Sequence, residues 1–221
     1  MQRALTAELF GTFSLVFCGA GAIVINQISE GAVTHVGISL VFGLIVLALI
    51  YALGDISGAH INPAVTLAFC VAGRFPISKV VPYLAMQVIG ALAACVSLRL
   101  MFGNVAGLGG THPFQQQGLQ SLMLEFFLTL LLMAVVLCVS TGAKEKGITA
   151  GIAVGSIIAL EALFAGPICG ASMNPARSLG PAVVSGQGID ELWIYFLGPI
   201  AGALCAVPLA RILHPQPPAA T

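Results

Sequence analysis

Two asparagines stand in the same local sequence, and both could donate hydrogen bonds from their side-chain amides. Asn62 begins one copy of Asn-Pro-Ala, and Asn174 begins a second copy 112 positions later. The residues that follow them are Pro63, Ala64, Pro175 and Ala176. An amide carries two N–H donors and an acceptor oxygen, so it can bind a neutral oxygen-bearing molecule without acid–base chemistry. A single copy would indicate only a helix cap, whereas two matched copies favour binding.

The tripeptides belong to a longer internal repeat. The segments ISGAHINPA at residues 56–64 and ICGASMNPA at residues 168–176 are identical at six of nine positions. Upstream, ELFGT at residues 8–12 is echoed by EFFLT at residues 125–129. Two matched blocks in the same order predict a single domain over residues 1–221, built from two repeats of approximately 1–110 and 118–221.

The composition predicts an integral membrane protein. Hydrophobic residues make up 58% of the chain and charged residues only 7%, against about 25% charged residues in soluble domains. The net charge is zero, so there is no electrostatic case for a nucleic-acid partner. The six cysteines are scattered, mostly within apolar runs, and predict no disulfide framework, metal site or cofactor.

Six apolar stretches are long enough to cross a bilayer, which takes about 20 residues. They cover residues 5–25, 36–53, 80–101, 122–139, 148–164 and 192–213. Two more apolar segments, residues 62–71 and 174–184, are too short to span and carry proline at the second position, which suits the first turn of a helix. The predicted fold is an all-α membrane protein with six transmembrane helices and two reentrant half-helices.

Each repeat contains three spans, so the second repeat must be inverted in the membrane relative to the first. Inversion brings the interrupted segments face to face at the midplane. The N-termini of the half-helices, with unpaired N–H groups and partial positive charge, then point at the membrane centre. Beside Asn62 and Asn174, these positive ends are expected to repel cations, including hydronium, and to interrupt proton hopping along a file of water.

Several ionisable residues lie at predicted membrane depth, where charge is costly and usually functional. Arg177 follows the second tripeptide and could donate to a bound molecule, be tied to loop carbonyls, or both. Glu8 and Glu125 begin the matched upstream blocks, and they could relay protons or accept hydrogen bonds from reentrant backbone. Glu161 has no acidic counterpart in the first repeat, and its role is open. His60 could line a vestibule or be a hydrogen-bonded loop residue.

The basic residues predict the orientation. Six lie at the termini or in the second-to-third and fourth-to-fifth connections: Arg3, Arg74, Lys79, Lys144, Lys146 and Arg211. The opposite side has acidic residues and one basic residue near the end of a span, Arg99. The positive-inside rule therefore predicts that both termini are cytoplasmic. The short terminal segments favour a bacterial inner membrane.

Over essentially its whole length the chain resembles the aquaporin, or major intrinsic protein, family. The clearest block is residues 164–182, FAGPICGASMNPARSLGPA, which is most similar to the nodulin-like branch. The resemblance implies that Glu8 and Glu125 brace the reentrant loops, which favours their structural role. It also implies a homotetramer with one pore in each subunit. The residues that it places at the narrowest part of the pore are Phe42, Ala162, Ala171 and Arg177.

At Ala162 the chain departs from water-selective members of the family, which resemble one another in having histidine there. A methyl group in place of imidazole removes a donor and opens the ring. Phe42 and Ala171 then leave an apolar wall opposite Arg177, which suits glycerol-like molecules or bulkier neutral hydroxides. Two other positions follow the water channels instead, Ser178 and Ala182, so the choice of solute is open.

The predicted function is a passive channel for water and small uncharged solutes that excludes ions and protons. Besides further copies of the chain, its expected partners are membrane lipid and the permeating solute. The alternative is a secondary transporter with alternating access, because inverted repeats and broken helices occur there too. Ion coupling usually needs an exposed intramembrane acid, for which Glu161 is the candidate. The chain has no GxSxG or HExxH motif, and no enzyme activity is predicted.

Overall fold

The computed structural model describes residues 1–140 and 144–213, with the backbone alone over residues 144–148. Regular structure in this part of the chain is helical. Its α-helices are α1 Gln2–Ile28, α2 Thr34–Ser57, α3 Pro63–Val71, α4 Val80–Phe102, α5 Gly118–Val139, α6 Lys144–Cys169, α7 Pro175–Ser185 and α8 Leu192–Leu213. In the described connections, 3-10 turns lie between α3 and α4, between α4 and α5, and between α7 and α8.

Six of the described helices are long and apolar enough to cross a membrane, as the hydropathy pattern predicts. The other two, α3 and α7, have 9 and 11 residues and are the predicted half-helices. Each half-helix begins with proline, and the asparagine before it is the N-cap. The prediction of an all-α membrane fold with six spans and two half-helices is confirmed.

Helix α6 continues beyond the predicted end at residue 164 and reaches Cys169. It does so although Pro167 lies inside it and has no N–H to offer the carbonyl of Leu163, four residues earlier. The Nε2 atom of His35 lies 2.9 Å from that carbonyl oxygen and donates the missing hydrogen bond. The donor from α2 therefore satisfies the carbonyl that Pro167 leaves open.

Close contacts between helices occur where glycine leaves no side chain in the way. A Cβ atom added to Gly43 of α2 would lie 2.5 Å from the carbonyl oxygen of Gly155 in α6, so the two backbones touch. Such contacts give van der Waals packing in a medium where apolar side chains gain little by leaving lipid. They fix the spacing of two helices that carry predicted pore residues.

Each half-helix packs mainly against the third spanning helix of the other repeat. Helix α3, from the first repeat, packs against α8 of the second, and α7 packs against α4 of the first. Each repeat therefore supplies the wall on which the other repeat's half-helix rests. The N-termini of α3 and α7 meet within the bundle, as the inverted repeat predicts.

Candidate functional site: a pore between two half-helices

The asparagines at the starts of α3 and α7 are linked across the two repeats. Asn62 donates from Nδ2 to the carbonyl oxygen of Met173 at 2.7 Å, and Asn174 donates to that of Ile61 at 2.9 Å. Each side-chain oxygen accepts from the backbone N–H two residues later, at 2.9 and 3.0 Å. Capping thus uses the oxygen and the cross-link uses one N–H. Each amide retains a second N–H for which the structure describes no partner.

The backbone that leads into each half-helix is strained. Ile61 and Met173 have φ angles of 43° and 52°, and Ala59 and Ala171 have φ angles of 48° and 39°. Residues with a Cβ atom rarely adopt this region, and β-branched Ile61 is especially disfavoured there. Strain of this kind persists only where the surroundings impose it. The same alternation in both repeats indicates that the architecture itself requires it.

Glu8 holds the first strained loop through hydrogen bonds to four donors. Its Oε1 accepts from the His60 N–H at 2.9 Å and from the Ser57 hydroxyl at 2.7 Å. Its Oε2 accepts from the Ile61 N–H and from the Gln87 amide, both at 2.7 Å. The side chain is fully buried. These bonds fix successive N–H groups immediately before the first asparagine.

Glu125 makes the corresponding contacts in the second repeat. Its two oxygens accept from the N–H groups of Ser172 and Met173, each at 2.7 Å. Like Glu8, it is fully buried. The matched sequence blocks therefore place one carboxyl group behind each reentrant loop.

A cavity of about 130 Å³ passes the point where the half-helices meet. Both asparagines line it, and so do the four residues that the resemblance assigns to the constriction, Phe42, Ala162, Ala171 and Arg177. Further wall is aliphatic and comes from α2, α5 and α6, with Val46, Ile50, Leu132, Val136, Val154 and Ile158. Among the described residues of the lining, none carries a carboxyl group.

Arg177 is almost completely buried, with 2% of its surface exposed. Its Nη1 donates to the carbonyl oxygen of Gly109 at 2.8 Å, and its Cζ lies 5.1 Å from the centre of the Phe42 ring. The Nε atom has no hydrogen-bond partner within the described chain. One edge of the guanidinium is thus tied to a loop carbonyl, and the residue lines the cavity.

His60 combines the two alternatives that the sequence leaves open. It lines the cavity, and its Nδ1 lies 3.2 Å from the hydroxyl oxygen of Thr66. Its ring stacks on Phe69 with centroids 4.8 Å apart and meets the edge of Phe75 at 4.7 Å. Aromatic contacts and a hydrogen bond therefore fix this ring in the wall.

Glu161 is placed away from the cavity. It is fully buried, and neither carboxyl oxygen has a hydrogen-bond partner in the part of the chain that the structure describes. Its neighbour Ala162 faces the cavity, as expected for adjacent helical residues that point about 100° apart.

The sequence did not identify a chain of hydroxyl groups that ties an interhelical connection to α7. Thr111 donates to the Ser178 hydroxyl at 2.8 Å, and Ser178 lies 2.6 Å from the Ser172 hydroxyl. Ser172 in turn donates to the backbone carbonyl of Asn174 at 2.9 Å. No sequence signal pairs Thr111 with a residue 67 positions away.

His35 was also missed. Its bond to Leu163 links α2, which carries Phe42, to α6 at the residue after Ala162. The only available signal was Pro167, because a proline within an apolar span implies that the carbonyl four residues earlier needs another donor. The sequence does not say which residue supplies it.

Six spans, two half-helices that meet N-terminus to N-terminus, and a cavity at their junction are the architecture of a membrane pore. The sequence profile of the major intrinsic protein family matches residues 1–209, and the chain belongs to this family. It is therefore a multi-pass membrane protein and a passive channel for water and small uncharged solutes.

Relatives support the predicted resemblance to the nodulin-like branch. Aquaporin NIP1-1 of Oryza sativa subsp. japonica is 50% identical over 203 residues, covering 91% of this chain and 71% of the relative. Nodulin-26 of Glycine max is 44% identical over 213 residues, covering 96% of this chain and 78% of the relative. The X-ray structure of the aquaglyceroporin from Plasmodium falciparum matches with a TM-score of 0.84 at 23% identity over 97% of each chain, which shows the shared fold.

Proposed function

We propose that this channel conducts water together with small neutral polyols, such as glycerol, or neutral metalloid hydroxides, and that it excludes ions and protons. The observation that supports the proposal is that the apolar side chains of Phe42, Ala162 and Ala171 line the same cavity as the guanidinium of Arg177. A polyol has one face of carbon and one of hydroxyl groups, and it can satisfy both sides of such an opening at once.

Selection against cations would arise at two places. The positive ends of α3 and α7 point toward the centre, where Asn62 and Asn174 can each offer an N–H to a passing oxygen. Arg177 adds a fixed positive charge at the constriction. A water molecule held by both asparagines cannot accept a hydrogen bond from its neighbours in the file, which would interrupt proton hopping.

The position of Glu161 favours a passive channel over a coupled transporter. A transporter driven by an ion gradient usually needs an acid in contact with the substrate pathway. Glu161 is buried behind the wall, and the described lining contains no carboxyl group. We further propose that permeating solutes cross without chemical conversion.

Flux in proteoliposomes tests the proposal. Stopped-flow measurements should show water and glycerol fluxes that rise linearly with the imposed gradient, with a low activation energy and no need for a coupling ion. Empty liposomes provide the baseline. Saturation at low glycerol concentration, or dependence on a proton gradient, would overturn the passive polyol channel.

We propose a homotetramer with one pore per subunit, and a bacterial inner-membrane location with both termini cytoplasmic. The family resemblance supports the assembly, and the distribution of basic residues supports the orientation. Within that distribution, the side chains of Lys144 and Lys146 lie outside the described residues.

Accessibility of a cysteine introduced beside Arg3 to a membrane-impermeant reagent, in intact and in permeabilised cells, tests the orientation. Labelling in intact cells would contradict it.

A further inference from the structure

Two arginines occupy equivalent positions in the inverted repeat. Arg99 and Arg211 are 112 positions apart, the same shift that relates Asn62 to Asn174. Each lies in the last turn of the third span of its repeat, Arg99 in α4 and Arg211 in α8. Arg99 is also the basic residue on the side of the membrane where the positive-inside rule expects few.

Each arginine donates a hydrogen bond to the C-terminal end of the other repeat's half-helix. Arg211 donates from Nη2 to the carbonyl oxygen of Val71, the last residue of α3, at 3.2 Å. Arg99 donates from Nη1 to the carbonyl oxygen of Val184, next to the last residue of α7. The two contacts are therefore related by the same inversion as the pore asparagines.

The carbonyls of Val71 and Val184 need donors from outside their helices, because the last four carbonyl groups of any α-helix have no intrahelical N–H partner. At the end of α3, the N–H groups of residues 72–74 serve the carbonyls of residues 68–70, and Val71 is left for Arg211. At the end of α7, Asn104 donates to the carbonyl of Ser185 at 3.1 Å, beside the bond from Arg99 to Val184.

The charge of these side chains lies at the negative pole of each half-helix. A helix carries about half a positive charge at its N-terminus and half a negative charge at its C-terminus. With 9 residues, α3 is only roughly 14 Å long. In a medium of low dielectric constant, a negative pole that close offsets part of the positive potential at the centre of the pore. A positively charged side chain bound at the C-terminal end of the half-helix cancels this effect and so preserves the positive potential at the centre of the pore.

We propose that Arg99 and Arg211 are positioning residues for ion exclusion. They hold the outer ends of α7 and α3 and neutralise their negative poles, so that the positive potential at Asn62 and Asn174 is not cancelled. This inference rests on the proposed exclusion of ions by the channel, and it adds two residues that touch neither the cavity nor the permeating molecule.

Proteoliposomes that report water flux and cation leak together provide the test. Water permeability is measured by stopped flow, potassium conductance by an ion-sensitive dye, and proton leak by an internal pH dye. Arg99→Gln and Arg211→Gln each remove one positive charge and should each raise cation conductance about sevenfold, and the double variant about fiftyfold, as expected for one charge roughly 14 Å away at an effective dielectric constant of about 20. Water permeability should stay within about twofold of the original value.

Four matched variants separate charge from mechanical support. Arg99→Lys and Arg211→Lys keep the charge and should keep the cation leak low. Asn104→Ala removes an uncharged donor from the same end of α7, and its leak should not rise. Arg3→Gln removes an exposed basic residue from the start of α1, a full span, and should also leave the leak unchanged.

Unchanged cation leak in both glutamine variants, with normal water flux, would overturn the inference. A leak in Asn104→Ala or in the lysine variants equal to that of the glutamine variants would overturn it too, because geometry and not charge would be responsible. Absence of water flux in the unmodified protein would instead refute the proposed function. If the double variant does not fold, the single variants decide, since each acts on a separate half-helix.

Discussion

Among the side chains that line the cavity, those of Phe42, Ala162 and Ala171 present carbon, and that of Arg177 carries nitrogen. The stacking of Phe42 near the guanidinium, 5.1 Å from Cζ to the ring centre, lets the aromatic side chain shield the charge as well as form the wall. Selectivity at this point would therefore depend on the volume and polarity of single side chains.

Replacing Ala162 by histidine should lower glycerol flux by about tenfold or more and water flux much less. The imidazole fills space that a polyol needs, and its N–H serves water equally well. Stopped-flow fluxes of both solutes measure the ratio. Ala162→Val, which adds volume without a donor, separates size from hydrogen bonding. Equal losses of water and glycerol flux in Ala162→His would place residue 162 away from the constriction.

Gly19 of α1 lies directly against the ring of Phe42, which lines the cavity. A Cβ atom added there would overlap the ring of Phe42, and overlap in a packed wall displaces the more mobile group. Gly19→Ala should therefore push the ring toward the cavity and lower the glycerol-to-water flux ratio by about threefold or more. Gly54→Ala is the control, because a Cβ atom there meets nothing within 4 Å. An unchanged ratio in Gly19→Ala would show that Phe42 does not set the width.

The half-helices α3 and α7 are too short, and their preceding loops too strained, to hold their positions without support from other elements. Helices of 9 and 11 residues are too short to be stable by themselves, and each follows a loop with two non-glycine residues in the left-handed region. Buried carboxyl groups at the loops, and side-chain donors at the far ends, supply what the helices lack. This arrangement explains why acids occur in the apolar spans α1 and α5.

Glu125→Gln should destabilise the protein by about 2–3 kcal/mol, because an amide offers one acceptor oxygen where Ser172 and Met173 present two N–H groups. Thermal unfolding in detergent, followed by circular dichroism, measures the change. Glu30→Gln, at an exposed position, should unfold at the original temperature. A Glu125→Gln variant as stable as the original would mean that the carboxyl group does not support the second loop.

At the scale of the whole molecule, the two repeats cannot be separated without dismantling the pore. Helix α3 rests on α8 and α7 rests on α4, while Asn62 and Asn174 each bond to the backbone of the other repeat. Each chain therefore encloses a complete cavity of its own, and assembly of several chains would multiply pores without being needed to form one.

The proposed tetramer should be visible in mild detergent as a particle whose protein mass is four times the 22.6 kDa of the chain. Size-exclusion chromatography with light scattering, corrected for detergent, measures that mass. Flux per chain should be the same in samples diluted before reconstitution, because each subunit holds its own pore. A single-chain mass at concentrations where flux is normal would contradict the tetramer.

The sequence by itself determined the membrane class, the six spans, the two half-helices and the inverted repeat. These properties depend on composition, on segment length against bilayer thickness, and on tripeptides that match at a fixed shift. Asn62, Asn174 and Arg177 could be singled out because amide and guanidinium groups are costly in an apolar segment, so each polar residue there is informative.

The tertiary structure decided which partners those residues have. His35 bonds to Leu163, Arg99 to Val184, and Arg211 to Val71. In each case the acceptor is a backbone carbonyl more than 80 positions away, and every residue type has such a carbonyl. No side chain therefore marks the acceptor in the sequence. Only the packing of helices against each other brings the donor to a carbonyl that lacks a partner in its own helix.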